Sequence, residues 1–304
     1  MRRHGRVAVA VIAPVLLALL LATHWETVRS GILTIGRGDG EWLILAVGAA
    51  ALTWAAASCC QLGSTTARLS VPVVFTTQVA GSFVNHVLPA GVGAAAINLR
   101  MLRRSGLSGD RAVTAVSLNV AAGMVLHLAA LAVLIPLDPS SLRIGASSRT
   151  VLVVVAAVVL VGLIGLGVAG RRSSVLRGRL GGLAAEAAAS LRSPRRFGLL
   201  WLGSAAVPAL HIATLAGVLH AIGQPAPLTV IAVAYLAASA LAALVPSPGG
   251  FGGLDVALLA ALTTTGIASA TAISAVIGYR SLTVWLPLVP GAGALLLLLR
   301  RRLI

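Results

Sequence analysis

Pro248-Gly249-Gly250-Phe251-Gly252 interrupts an apolar stretch near residues 227–266, and Pro89-Ala90-Gly91-Val92-Gly93 interrupts another near 71–99. Their shared positions (89 and 248, 91 and 250, 93 and 252) lie 159 residues apart. Beyond each motif the likeness continues at an offset of 160, where Gly106-Leu107-Ser108 with Ala112 answers Gly266-Ile267-Ala268 with Ala272. Trp42 and Trp201 are again 159 apart. Paired Gly/Pro breaks in corresponding apolar segments of two halves point to a transporter-type site built from discontinuous helices.

Composition sets the solvent. The chain has 304 residues, 58% of them hydrophobic and only 10% charged, with a mean hydropathy of +1.01. Soluble domains carry roughly 25% charged residues, so these values define a polytopic membrane protein. The net charge of +16 comes from 23 arginines, with no lysine, against seven acids. The arginines cluster between apolar runs, which fits membrane orientation and anionic lipid better than nucleic acid. Cys59 and Cys60 are too few for a disulfide framework and lack metal-ligand spacing. No metal or cofactor is expected. Arg2, Arg3 and Arg6 before an apolar run resemble a signal peptide, but Ala22-Thr23-His24-Trp25 is a poor cleavage site. A retained first helix is the expectation.

A helix needs about 20 apolar residues to cross the hydrocarbon. Spans are expected near 7–23, 42–60, 112–136, 149–169, 197–221 and 271–299, with kinks at Pro14, Pro287 and Pro290. The interrupted stretches 71–99 and 227–266 read as re-entrant hairpins, or as pairs of helices meeting at a break. With the N-terminus inside, eighteen arginines fall on the cytoplasmic side and four (Arg29, Arg37, Arg143, Arg149) outside. The positive-inside rule therefore predicts cytoplasmic N- and C-termini. The predicted fold is all-α and polytopic, one membrane domain over residues 1–304. It comprises about six transmembrane helices and two broken hairpins in an inverted repeat. The pseudo-repeats run approximately over 1–136 and 149–304, and an arginine-rich cytoplasmic loop, 171–196, lies within the second.

Arg280 fits no loop. It stands about ten residues into the last span, where a cation costs about 2.5–3.5 kcal/mol on insertion scales and is functional by default. Snorkelling beside Tyr279 is the alternative. Asp255, three residues after Gly252, is the one acid between Glu186 and the C-terminus. It suits a half-helix N-terminus, either as a cap, as an ion-pair partner of Arg280, or as a proton-titrating group. Gly91, Gly93, Gly250 and Gly252 would either expose backbone N–H groups to a lipid phosphate or permit close helix packing. Asn85 and His86 flank the first break and can add hydrogen bonds. Arg100, Arg103 and Arg104 suit lipid headgroups at the inner face. His127 and His211 read as interhelical contacts.

Two other signals carry no weight. Gly91-Val92-Gly93 through Ala96, with Asp110 beyond, imitates a dinucleotide fingerprint but lacks the strand of a βαβ unit. There is no GxxxxGK[ST] motif, so nucleotide hydrolysis is not expected. Seven acids without a cluster of Asp, His or Cys supply no general acid–base or metal chemistry, and no enzymatic activity is predicted.

These residues resemble the transmembrane region of lysylphosphatidylglycerol synthases, a family of flippase-like integral membrane proteins. The likeness covers most of the chain. It is strongest over Asn85 to Ala112, with Leu-Pro, Gly-x-Gly and Arg100, and over Pro246 to Pro287, where Pro-x-Pro-Gly-Gly-Phe-Gly leads to an acid and then Tyr279-Arg280. The resemblance implies movement of phospholipid, anionic or aminoacylated, between leaflets of a bacterial plasma membrane. It also implies a separately encoded enzyme making that lipid. Three departures stand out. Asp255 replaces the family's common Glu, Ala94 to Ala96 follow Gly93 where an acid is frequent, and no Arg lies near Asn119. The aminoacyl-transferase domain of bifunctional relatives is absent from this sequence, so synthase activity is not implied. A transporter of a small solute or polyprenyl-linked sugar and a non-transporting membrane partner subunit are the alternative readings.

Overall fold

The computed structural model describes residues 25–87, 92–137, 173–244 and 253–304, together with 19, 22 and 23. All regular structure among them is helical: α1 Trp25–Gly36, α2 Gly40–Gly63, α3 Val71–Val87, α4 Gly93–Arg104, α5 Gly109–Leu137, α6 Ser174–Leu191, α7 Pro194–Ala221, α8 Leu228–Leu244, α9 Gly253–Thr264, α10 Ser269–Arg280 and α11 Leu286–Arg300. Four helices are long and apolar enough to cross a bilayer, Gly40–Gly63, Gly109–Leu134, Pro194–Ala221 and Ser269–Arg300. They coincide with four of the expected spans. The other two, 7–23 (with Pro14) and 149–169, fall outside the described residues. Ile44, Leu45, Leu202 and Val289 are among many apolar side chains that stay exposed, as befits a surface solvated by lipid. The chain is an all-α, multi-pass membrane protein.

The centre of the molecule is the α2–α7 pair, which packs antiparallel along nearly its whole length. Small residues set the spacing. A Cβ on Gly203 would lie 2.8 Å from the Ala56 carbonyl oxygen, and one on Gly217 would lie 2.9 Å from the Ala46 Cβ. Gly63 presses on the backbone of Arg196 and Leu200. Without a hydrophobic drive between helices in lipid, such close backbone approach supplies the attraction through packing. At one end Asp39 caps α2, accepting from the Glu41 N–H at 2.9 Å, while its own N–H donates to the Ala221 carbonyl at 2.9 Å. Trp42 stacks on His220 with ring centroids 4.1 Å apart. At the opposite end Arg111 donates to the Thr66 hydroxyl at 2.9 Å and Arg196 to the Thr66 carbonyl at 3.1 Å.

Each interrupted stretch is two short helices packed on one another. α3 has 17 residues and α4 has 12, or about 26 and 18 Å at 1.5 Å per residue, less than the ~30 Å hydrocarbon core. Cross-contacts run Gln78 to Asn98, Gly81 to Ala94 and Asn85 to Ala94, which makes α3–α4 an antiparallel hairpin. α8 and α9 pack similarly, with Ile231 and Leu236 buried in one cluster with Leu258 and Leu262. The first hairpin is held by the last helix: Gly291 meets Phe83 and the Val79 carbonyl, and Leu288 and Leu298 share a core with Met101 and Leu102.

The turns after the hairpins match. Gly106 and Gly266 adopt φ of +93° and +95°. Leu107 donates to the Leu102 carbonyl and Ile267 to the Leu262 carbonyl, both at 3.2 Å. This is the six-to-one bond of a Schellman stop, for which a left-handed glycine is suited.

Three features depart from the sequence-based expectations. α1 occupies residues left unassigned, and packs against α10. Most of the expected loop 171–196 is helix α6, because its Leu183 and Ala187 can bury against Leu118, Ala122 and Leu200, and Glu186 pairs with Arg111 at 3.9 Å. The last span also solves its proline problem in a specific way. Pro287 and Pro290 remove two backbone donors, and a π-helical turn, Ser281–Trp285, precedes them with Leu286 N–H bonding the Ser281 carbonyl.

A cavity around a buried ion pair

Arg280 is the twelfth residue of the 32-residue span Ser269–Arg300, so about 17 Å of helix lies before it. It is 8% exposed and immediately precedes the π turn, a feature frequent at functional sites. Its Nε donates to Asp255 Oδ1. Asp255 stands in the first turn of α9, where the helix dipole favours a carboxylate. The start of α9 thus sets an acid level with the arginine. The contact between Asp255 and Arg280, one of the readings of that acid, is present in the structure.

Arg280 borders a cavity of about 540 Å³. Arg280, Thr283 and Pro287 of the last span face Gln78, Asn85 and His86 of the first hairpin across it. Thr53 and Trp54 of α2, His211 of α7 and Tyr235 of α8 complete the wall. Both hairpins and both central helices therefore contribute. An aromatic triad braces one side: the Tyr279 hydroxyl and His211 Nδ1 are 2.9 Å apart, His211 stacks on Tyr235 with centroids 5.6 Å apart, and Tyr279 meets Tyr235 edge-on.

The other predicted residues are placed differently. Asn85 lines the cavity, and its Oδ1 accepts from the Ala94 N–H at 3.4 Å, capping α4 from the neighbouring helix. Gly93 is a packing glycine, because a Cβ there would collide with the Val84 carbonyl and lie 2.7 Å from the Asn85 nitrogen. Of the two uses foreseen for the glycines, close approach is the one this position requires. Gly91, Gly250 and Gly252 lie outside the described residues. Arg100 is half-buried, about two turns along α4 from Gly93, and is not brought to the cavity wall. His127 and His211 are interhelical contacts as expected; His127 Nε2 lies 2.9 Å from the Leu236 carbonyl oxygen.

Apart from Asn85, sequence reasoning passed over the amides. Gln78 donates to Asn98 at 2.9 Å and so fastens the first hairpin, while Asn119 donates to the fully buried Gln61 at 3.4 Å. Isolated amides inside apolar helices were a usable signal, since polar groups at that depth seek one another. Among the described residues no group of three His, Cys, Asp or Glu comes together as a metal site.

Two helical hairpins that converge with long apolar spans on an ion pair and a cavity with polar lining mark a polytopic α-helical membrane protein. The chain belongs to the family described as the lysylphosphatidylglycerol synthase TM region, which it matches over residues 6–291. No curated protein matches it.

Proposed function

We propose that the protein moves an anionic lipid headgroup between the leaflets of the plasma membrane by alternating access, without changing it covalently. The observation that carries this reading is the Arg280–Asp255 pair on a cavity walled by both halves of the chain. In the empty protein Asp255 neutralises Arg280. A lipid phosphate entering the cavity binds the guanidinium beside Asp255, so that the guanidinium keeps an anionic partner whether the site is empty or filled. Asn85 caps the start of α4 rather than contributing charge.

The two halves act as inverted repeats, approximately 1–136 and 149–304, with the N- and C-termini in the cytoplasm. Support comes from the antiparallel packing of α2 and α7, whose Trp42 and Trp201 correspond at 159 residues, and from the matched glycine turns at 106 and 266. Exchange of conformation between such halves exposes one site to each side in turn. The test is movement of a fluorescent anionic phospholipid in reconstituted vesicles. Arg280→Ala is expected to reduce the rate at least about tenfold, equivalent to the ~1.4 kcal/mol lost with one weakened charge contact. An unchanged rate would remove Arg280 from the mechanism.

A further inference from the structure

Arginines far apart in sequence meet at one end of the molecule. α4 ends on Arg103 and Arg104, and α11 runs through Arg300 into Arg301 and Arg302. Both helices finish near the start of α3, because Met101, Leu102, Leu298 and Leu299 share one buried cluster with Val74. Arg68 stands just before α3, between Ala67 and Leu69, which pack on the same cluster. A single apolar cluster thus carries six exposed arginines, supplied by three separate segments.

These charges are unanswered. Among the described residues the ion pairs are those of Arg29, Arg111 and Arg280, and none of the six meets a carboxylate. The acid nearest in sequence is Asp110, in the first turn of α5, where the helix dipole accommodates it. Glu186 is taken by Arg111. Arg302 adds a second observation. It is the one non-glycine residue with a positive φ among the described residues, at 58°. It occupies the left-handed place of a helix stop, where Leu303 N–H bonds the Leu298 carbonyl at 2.9 Å. Glycine fills the same place at 106 and 266. A side chain is strained there, and strain of this kind points to a role for the group that bears it. The stop folds Leu303 and Ile304 back onto the cluster and leaves Arg301 and Arg302 exposed.

We infer a second ligand site at this end, for a head bearing two or more phosphates, held jointly by Arg103–Arg104 and Arg300–Arg302 with Arg68 beside them. Guanidinium forks grip phosphate oxygens in pairs, and one diester phosphate, with a single charge, would leave most of the six unanswered. Clusters of about four to eight basic residues beside a span take anionic lipid heads, and basic pockets between helices take multiply phosphorylated ones. Arg280 and Arg300 are 20 residues apart, about 30 Å along a helix, so this ligand lies outside the cavity and is held rather than moved. The assignment does not rest on the translocase reading. A two-phosphate lipid and a soluble polyphosphate share the chemistry.

Native mass spectrometry of the full chain in mild detergent, titrated with lipids of matched acyl chains, tests the site. Diphosphatidylglycerol should bind at least tenfold more tightly than phosphatidylglycerol. Replacing Arg103 and Arg104 with Gln, or separately Arg301 and Arg302 with Gln, should each remove most of that advantage. Arg302→Gly, which suits the left-handed turn and so keeps the fold, should still weaken binding of the two-phosphate lipid. Arg37→Gln, which removes an exposed arginine outside the cluster, should not. Displacement of the lipid by inorganic pyrophosphate near the lipid's own Kd would name a soluble ligand, and no displacement names the lipid. Equal affinity for the two lipids would overturn the inference. So would loss on changing one of the two segments alone, or an equal loss with Arg37→Gln.

Discussion

Arg280 and Asp255 form a pair that neither position would tolerate singly. Removing one member of a buried pair generally costs about 3–5 kcal/mol, because the remaining charge is left in a poor solvent. Because the Asp255 side chain is 30% exposed, Arg280→Ala and Asp255→Ala are each expected to destabilise the purified protein by less than that, and the double variant to cost less than the two changes added together. Thermal unfolding in detergent measures all three. Strict additivity would mean that the charges are not coupled. Asp255→Glu, which keeps the charge and adds one methylene, should retain most of the stability that Asp255→Asn loses.

Among the helices, glycine placement decides which contacts are rigid. Gly203→Ala drives a methyl into Ala56 and Cys60 at the α2–α7 interface and should cost about 1–3 kcal/mol, the usual penalty of overpacking. Gly48, on the same α2, has nothing within 4 Å of an added Cβ. Gly48→Ala should therefore be neutral or gain about 0.5–1 kcal/mol from helix propensity. Unfolding midpoints of the two variants compare them directly, and equal destabilisation would refute the packing argument. Gly93→Ala should act on the site instead, pushing α4 off Val84 and pulling the Asn85 cap out of place, so that lipid movement falls further than stability does.

Across the bilayer, the arrangement requires that the two glycine turns lie on opposite faces of the membrane. With Cys59 and Cys60 replaced by Ala, Ser105→Cys should react with an impermeant maleimide only from the cytoplasmic side and Thr265→Cys only from the outside. Both positions reacting from one side would exclude the inverted repeat, whatever the lipid assays give.

Much of this architecture is written in local patterns. Apolar length announced α2, α5, α7 and the last span, and proline with glycine announced both breaks, because a bilayer admits irregular backbone only where protein or water satisfies it. A lone cation in a span and a lone acid after a break announced Arg280 and Asp255, because charge at that depth demands a partner. Local patterns could not reach further. Nothing in a row of alanines and glycines tells that Gly63, Gly203 and Gly217 meet one particular partner helix, since close packing depends on which faces are opposed. Helix α6 was hidden by its arginines, and only the surface offered by Leu118, Ala122 and Leu200 gives it something to pack against. The cavity is the extreme case: His211, Tyr235, Asn85 and Arg280 come from four separate helices, and a space between helices is a property of their arrangement that no single segment encodes.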